Sequence, residues 1–300
     1  MRTIITQFLL LYLLSSNISY SQELHTRNTN WEKENLKKHV KSYIEISNVA
    51  IKKNGNIIQS PEKTYSSGKE KFVFNKQGSL TERFFYRYSS KVPYRQWTFN
   101  YDKQGNQIKF RECEINIQLP EKCITSKYVY KKTGNQTEIK LYEIREFFPE
   151  ADDGEYVHKK WIYTYNTKGY LIKAEEYFGK KNLKEIMSYT YDSENNLIEE
   201  NHVYNGKEHS KNTFKYDRKN NVVEQKYWCE DKDLNKTITY SYDDKGNVIA
   251  EIFSSYTGNK IYKKNTYKYK YDRNENWKER IKYKNSVPIQ VSKRIYKYFD

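Results

Sequence analysis

Aromatic and polar residues alternate in short stretches along this chain. In TYKYKYD, residues 266–272, three tyrosines are spaced two apart, with lysines between them. A spacing of two places side chains on one face of a β-strand, whereas a helix would scatter them around its axis. The pattern therefore predicts strands that carry one aromatic face.

The aromatic pair recurs throughout the chain. Eight copies are spaced 25–35 residues apart, and each has an aromatic residue two positions before a second one. A shorter ninth copy ends the chain at Tyr296 and Tyr298. Repetition at this period predicts a repeat architecture. The sixteen repeat aromatics are Phe72, Phe74, Phe99, Tyr101, Tyr128, Tyr130, Tyr163, Tyr165, Tyr189, Tyr191, Phe214, Tyr216, Tyr240, Tyr242, Tyr269 and Tyr271.

A turn signal follows each aromatic pair. Asp or Asn comes next in seven of the eight copies, with Lys131 as the exception. Gly or Asn lies three residues further on in seven copies, with Glu275 as the exception. Asp and Asn favour the first position of a type I turn, and Gly or Asn tolerates the left-handed residue that closes it. Each copy therefore predicts a β-hairpin.

Successive hairpins predict an all-β fold: an elongated, twisted and coiled antiparallel meander forming a single continuous sheet of some 16–20 strands. We expect the aromatic columns on its concave or inner face. Residues 40–50 predict the first strand, 51–70 a loop, and 30–39 a short helix or lead-in. In an open sheet the edge strands need protection, and the charges of Lys293, Arg294 and Lys297 would discourage edge pairing.

The N-terminus predicts export. Arg2 precedes an apolar run at 4–14, and small residues at Ser19 and Ser21 precede a cleavage site. The run is too short to span a bilayer. The predicted organisation is a helical signal peptide at 1–21, a lead-in at 22–39 and one repeat domain at 40–300. The mature protein is expected in the periplasm, on the cell surface or secreted, without a membrane span.

The net charge of +16 allows two interpretations. One is a surface that binds polyanions. The other is codon composition, because Lys, Asn, Ile and Tyr are all encoded by A/T-rich codons. The exported chain has no recognisable nucleic-acid-binding motif, so no nucleic-acid partner is predicted.

Cysteine and metal chemistry is sparse. Cys113 and Cys123 bracket a loop-like stretch, which predicts a disulfide in an oxidising compartment, although unpaired thiols are the alternative. Cys229 is left over. The five histidines share no metal-binding spacing, and the acids of 151–158 lack the spacing of a calcium loop. We predict no metal site and no cofactor.

The motif Y-x-Y-D-x-x-G-N-[LVI], as in YSYDDKGNV at 240–248, resembles the YD repeat, also called the RHS repeat, of bacterial secreted proteins and toxin shells. The resemblance covers roughly residues 70–300. Long RHS proteins add a core region and a C-terminal toxin, and nothing here resembles either one. MORN-like repeats are a competing resemblance, but their period is shorter. The resemblance implies a short exported repeat protein.

Three functional hypotheses remain. We favour a non-enzymatic binding or scaffold module at the cell envelope, whose partner is an envelope polysaccharide or another protein. The alternatives are a glycan-active or peptidase-like enzyme, and an accessory component of an RHS-like toxin system. A glycosidase would need two carboxylates roughly 5–9 Å apart in one groove, and the sequence singles out no such pair or other catalytic residue. The binding candidates outside the aromatic columns are Trp97, Trp161, Trp228 and Trp277.

Overall fold

The computed structural model describes residues 30–61, 68–87, 90–116, 119–145, 157–178 and 182–300. The predicted signal peptide at 1–21 lies outside the described residues, and so does most of the acidic stretch at 151–158. In the described ranges one α-helix, α1 (Asn30–Lys33), precedes the strands, and a 3-10 helix lies at Lys232–Leu234.

Nineteen strands follow α1. They are β1 (Val40–Lys53), β2 (Asn56–Gln59), β3 (Gly68–Phe74), β4 (Leu80–Tyr86), β5 (Pro93–Tyr101), β6 (Gln107–Asn116), β7 (Leu119–Thr133), β8 (Gln136–Arg145), β9 (Val157–Tyr165), β10 (Leu171–Phe178), β11 (Asn182–Tyr191), β12 (Leu197–Tyr204), β13 (Lys207–Tyr216), β14 (Val222–Cys229), β15 (Lys236–Tyr242), β16 (Val248–Ser255), β17 (Ile261–Tyr271), β18 (Trp277–Lys284) and β19 (Val287–Tyr298).

The sheet closes on itself. Strand β1 pairs antiparallel with β19 on one side and with β3 on the other, and each strand from β3 to β19 pairs with the next. Eighteen strands therefore form a closed antiparallel β-barrel, and β2 extends β1 as a short hairpin. The prediction of an elongated open meander is wrong. The number of strands is as expected, but closure removes the unpaired edges that an open sheet would leave.

Closure also changes the role of the last strand. Arg294 does not guard an exposed edge, because β19 is fully paired between β18 and β1. Its side chain is only 7 % exposed and points into the barrel. Lys293 and Lys297 lie on the outer face of the same strand. The edge-protection argument therefore does not apply to this strand.

The aromatic columns share one face around the whole ring. Residues directly opposed on neighbouring antiparallel strands point to the same side of a sheet. Tyr43 opposes both Phe72 and Tyr296, and this register continues from strand to strand until the ring closes. Tyr43 and Tyr163 on this face are 1 % exposed, whereas Ile295 on the other face is 61 % exposed. The columns therefore line the inside of the barrel.

The inner face holds two separate hydrophobic clusters. The larger spans β7 to β11 and centres on Ile139, Tyr163 and Met187. The smaller lies at the closure, where Val40, Tyr43 and Phe74 pack together. Trp31 and Leu36 pack on this smaller cluster from the segment before β1. The core is thus distributed along the wall and is largely aromatic.

Each aspartate turn is built from side-chain bonds to the backbone. Asp243 Oδ1 accepts the N–H groups of Lys245 and Asn247, and Gly246 takes a positive φ of 81°. Backbone–backbone hydrogen bonds also close this turn. The same backbone bonds close the turns that begin at Asn75, Asp102, Asn166, Asp192, Asp217 and Asp272. Glu275 keeps the same geometry with φ of 65°. Only the hairpin after Lys131 differs, since it turns through Gly134 and Asn135.

All aspartate turns lie at one end of the barrel, which we call the turn end. Residues 30–39, the cap segment, lie against it. Trp31 donates its backbone N–H to Gly78 O at 3.2 Å, and Asn35 donates to Lys245 O at 3.1 Å. Lys37 and Asn276 exchange two hydrogen bonds of 2.7 Å. The cap segment therefore ties several turns of the ring together.

The predicted loop at 51–70 is partly wrong. Strand β1 continues to Lys53 and turns through Asn54 and Gly55, which both have positive φ, into β2. Asn-Gly is the preferred pair for a two-residue hairpin turn, so the sequence carried the signal for this hairpin.

A tyrosine hydroxyl bonds to the preceding hairpin in seven places. Tyr216 Oη donates to Leu197 O at 2.7 Å, and Tyr191 Oη donates to Leu171 O at 2.8 Å. The other five pairs are Tyr101 with Leu80, Tyr130 with Gln107, Tyr242 with Val222, Tyr269 with Val248 and Tyr296 with Trp277. Burial raises the pKa of Tyr191 to about 12, so the hydroxyl keeps its proton.

These hydroxyls donate to backbone carbonyls that have no hydrogen-bond partner on the following strand. The accepting carbonyl always belongs to the first residue of a return strand. Pairing of that return strand with the following strand begins two residues later, at Glu199 for Leu197 and at Lys173 for Leu171. A buried carbonyl without a partner is costly. The hydroxyl therefore explains the tyrosine at the second repeat position in five copies, whereas Tyr269 and Tyr296 make the same bond from the first position.

The first copy lacks both the hydroxyl and a preceding aspartate-turn hairpin. Its second aromatic is Phe74, whose strand follows β2 rather than an aspartate-turn hairpin. Every later copy has tyrosine there, from Tyr101 to Tyr298. In the last two copies Tyr271 and Tyr298 bond instead to the turn residues Asp243 and Asp272.

We predict that Tyr216→Phe lowers the free energy of unfolding by about 1–2 kcal/mol, because the Leu197 carbonyl loses its donor. Tyr283→Phe is the control, since that ring lies on the outer face. Urea unfolding followed by circular dichroism measures both variants. Equal effects of the two substitutions would contradict the role given to the hydroxyl.

Candidate functional site

A charged cavity lies inside the barrel beneath the cap segment. Its volume is about 360 Å³. Strands β1, β3, β4 and β19 form its wall, and Glu34 of the cap segment reaches into it. The side chains that carry its chemistry are Glu34, Glu45, Glu70, Arg83 and Arg294.

Arg294 is the most constrained of these side chains. Its guanidinium lies between two rings, 4.0 Å from the centroid of Trp277 and 4.3 Å from that of Tyr43. Its Nε donates to Glu45 at 2.9 Å, and its Nη2 donates to Glu34 at 3.0 Å. Its buried Nη1 has no hydrogen-bond partner among the described residues. Stacking and ion pairing together hold the guanidinium plane in place.

Arg83 makes a second, similar arrangement on β4. It donates to Glu70 Oε2 from Nε at 2.8 Å and from Nη2 at 2.6 Å. Its guanidinium lies 4.8 Å from the ring centroid of Phe72 and 5.2 Å from that of Trp97. Two arginines are thus fixed on opposite sides of β1 and β3.

The two strand carboxylates face each other. Glu45 on β1 is directly opposite Glu70 on β3, so both side chains point into the barrel. Arg280 lies 3.6 Å from Glu45 and adds a second positive charge there. Each carboxylate is therefore held in an ion pair and acts as a fixed hydrogen-bond acceptor. Glu45 and Glu70 therefore both line this cavity.

A second polar cluster lies further around the inner wall. His202 Nδ1 is 3.1 Å from Glu185 Oε1, and its Nε2 is 3.2 Å from Glu200 Oε1. Asn212 donates to Glu200 at 3.2 Å and accepts from Gln225 at 3.0 Å. The cluster is a buried hydrogen-bonded network across β11 to β14.

The network favours a charged imidazole. Burial opposes protonation of His202, but the hydrogen bonds that its ring donates to Glu185 and Glu200 outweigh this effect and raise its pKa to about 9. Close by, Lys159 Nζ lies 2.8 Å from Glu176 Oε1, and both side chains are 9 % exposed. Buried charges on this wall are thus compensated by partners, as low dielectric requires.

The four candidate tryptophans do not form one site. Trp97 and Trp277 lie inside and contact the arginines of the cavity. Trp161 is 4 % exposed within the larger core cluster and donates to Glu176 at 3.1 Å. Trp228 opposes Lys211 on the outer face.

The sequence reasoning missed the charged residues of the cavity. A usable signal existed, because Glu45 and Ser47 share the strand parity of Tyr43, and Glu70 shares that of Phe72. A charged residue in phase with the aromatic column is expected on the inner face. Arg83 could be placed only from the pairing of β3 with β4.

The structure pairs two of the three cysteines. Cys113 and Cys123 oppose each other on β6 and β7 and form a disulfide. Cys229 is free and buried. Within the described ranges, no three His, Cys, Asp or Glu side chains are arranged to share a metal ion. No helix in the part of the chain that the structure describes is long and apolar enough to cross a membrane.

Comparisons with known proteins show resemblance of shape only. No family model matches the chain, and no curated protein matches it. A porin-like protein from Bacteroides uniformis aligns over 86 % of this chain and 96 % of its own, with 12 % identity and a TM-score of 0.44. A porin-like protein from Bacteroides vulgatus aligns over 87 % and 99 %, with 12 % identity and a TM-score of 0.27.

Toxin-complex structures also align. The TcdB2-TccC3-TEV structure covers 83 % of this chain, which spans 14 % of that one, with 14 % identity and a TM-score of 0.33. The Tc holotoxin pore of Photorhabdus luminescens aligns over 84 % of this chain and 19 % of its own, at 10 % identity and a TM-score of 0.20. The function of this chain therefore has to be argued from its own residues.

We predict that His202 makes the stability of the barrel depend on pH. Its folded-state pKa of about 9 lies above the ordinary value of 6.5. Its contribution is therefore fully present below pH 6.5 and is lost as the pH rises to about 9, which corresponds to about 3 kcal/mol. His202→Gln removes this titration. The check is urea unfolding of both proteins across that range, and parallel pH profiles would contradict the prediction.

Proposed function

We propose that this protein is an exported, non-enzymatic binding module whose barrel cavity holds a hydroxyl-rich ligand, namely the end of an envelope glycan. The observation that carries the proposal is the guanidinium of Arg294, which is fixed between two rings and has one buried nitrogen without a hydrogen-bond partner among the residues that the structure describes. Buried polar groups are normally hydrogen-bonded, so Nη1 calls for an acceptor from a ligand or water.

The chemistry of the cavity supports this ligand class. Glu34, Glu45 and Glu70 present acceptor oxygens, and Arg83 and Arg294 present donors. Each hydroxyl of a sugar can both donate and accept a hydrogen bond, so a sugar can bond to the carboxylates and to the guanidinium groups. The volume of about 360 Å³ lies at the lower end of known ligand sites, which favours a saccharide of one or two rings.

The ion pairs favour binding over catalysis. A glycosidase needs one carboxyl group that keeps a proton to donate to the leaving group. Glu45 and Glu70 each lie within 3 Å of an arginine nitrogen, so each carboxylate already accepts a hydrogen bond from a protein donor. The glycan-active enzyme remains the second candidate function, because these two carboxylates do face one groove.

The outer face supports a protein surrounded by water. Exposed lysines on it include Lys41, Lys268, Lys270 and Lys297. Lysine facing lipid costs about 2–4 kcal/mol at the bilayer midplane. Together with the predicted signal peptide, this surface supports a water-exposed location after export.

Gly68 provides a test that spares the ion pairs. It lines the cavity, and a Cβ built on it meets no atom within 4 Å. Gly68→Leu should therefore fill the cavity without disturbing the wall. Lys69→Leu is the matched control, because the next residue of the strand points outward.

We expect the unaltered protein to bind saccharides on an array of bacterial envelope glycans. Titration calorimetry with the best soluble saccharide should show at least tenfold weaker binding for Gly68→Leu and unchanged binding for Lys69→Leu, with equal unfolding midpoints. Equal affinity of the two variants, or no glycan bound, would overturn the proposal. Release of new reducing ends from the bound glycan would favour the enzyme.

A further inference from the structure

The end of the barrel opposite the turn end carries an unusual surface. Three neighbouring hairpin tips, each a turn with the adjoining strand ends, form it, and we call them the rim: residues 50–59 at the β1–β2 turn, 256–264 at the β16–β17 turn and 281–290 at the β18–β19 turn. Strand β19 pairs with β1 and β18, and β17 pairs with β18, so the three tips are consecutive around the ring.

The rim exposes large apolar side chains. Ile261 is 63 % exposed, Val287 is 60 % and Tyr262 is 54 %. Tyr256, Ile289 and Ile58 are also exposed. Exposed apolar residues grouped in one place mark a binding surface, whereas single ones need no explanation.

The same tips are basic and lack acids. Their sequences AIKKNGNIIQ, YTGNKIYKK and IKYKNSVPIQ contain seven lysines and no Asp or Glu. Five of these lysines are exposed at the surface. They are Lys52, Lys53, Lys260, Lys264 and Lys284.

The turn end provides an internal comparison. Its described turns are closed by Asp or Asn and carry tips such as Lys103–Gly105 and Ser193–Asn195, with acids among them. None of the exposed large apolar side chains lies within these described turns. The combination of several lysines with exposed apolar residues therefore distinguishes the rim from the described turns of the turn end.

We propose that the rim docks the protein on the surface of an anionic lipid bilayer. Apolar side chains of the tips enter the boundary between headgroups and acyl chains, and the lysines bind the lipid phosphates. Lysine reaches a headgroup while its methylene stem lies on apolar surface. Membrane binding of this kind scales with buried apolar area and with charge attraction to anionic lipid.

The charge pattern favours a bilayer over a second copy of the chain. Two rims placed face to face would bring fourteen lysines together without a carboxylate from either tip set, and like charges repel. An anionic bilayer provides phosphates that attract the lysines and an apolar layer that accommodates the apolar side chains. Docking at the rim leaves the capped turn end facing away from the membrane.

Vesicle sedimentation tests the proposal, with the full chain used throughout so that every variant has the same N-terminus. The probes are vesicles of phosphatidylcholine alone and of phosphatidylcholine mixed with phosphatidylglycerol. We expect binding to the mixed vesicles that weakens with salt, because exposed charges are screened.

Two rim variants and two matched controls locate the contact. Ile261→Ser with Val287→Ser removes apolar contact, and Ile295→Ser is its control, since Ile295 is 61 % exposed on the outer wall. Lys260→Glu with Lys284→Glu reverses charge, and Lys268→Glu with Lys297→Glu is the control on exposed wall lysines. Lysines near an anionic surface are attracted to it and glutamates are repelled, so the charge-reversed rim should bind at least tenfold more weakly.

The outcomes separate the possible occupants. Loss of vesicle binding in both rim variants but in neither control supports docking. Equal loss in rim and control variants, equal binding to both vesicle types, or no binding to either would overturn it. Sedimentation velocity without lipid would reveal a dimer, and a dimer abolished by the rim variants would assign the surface to a second copy instead.

Discussion

The pairing of β1 with both β3 and β19 is the constraint on which the rest of the structure depends. Because the first strand joins the last, the aromatic face becomes an interior and the lysine-bearing face becomes an exterior. Charged side chains on the inner face then lose most of their water and require partners. The ion pairs of Arg83 and Arg294 and the hydrogen bonds of His202 follow from this closure.

Much of the local structure was readable from the sequence. The two-residue spacing of tyrosines placed the strands, and the Asp and Gly spacing placed the turns, because both depend on contacts within a few residues. The closure was not readable in this way. It depends on the summed twist and curl of eighteen strands and on a pairing between segments about 250 residues apart, which no local pattern encodes.

In the cavity, too, some features could be predicted from local sequence patterns and others depend on closure of the barrel. Glu45 and Glu70 could have been placed on the inner face from their phase with Tyr43 and Phe72. That they lie opposite one another, with Arg294 added from the last strand, depends on the closure itself. Strand phase also separates the tryptophan candidates. Trp228 is in phase with outward residues, and Trp161 lies in the larger core cluster. Trp97 and Trp277 contact the arginines of the cavity. Residue type alone was a poorer guide than strand phase.

The hydroxyl–carbonyl bonds reach only from one hairpin to its immediate predecessor. A gene that duplicates or deletes one whole hairpin therefore creates a new junction of the same chemistry at the point of change. The wall would gain or lose two strands while every other junction stays as it was. Related proteins could therefore differ in barrel circumference by steps of two strands, and the enclosed volume would change accordingly.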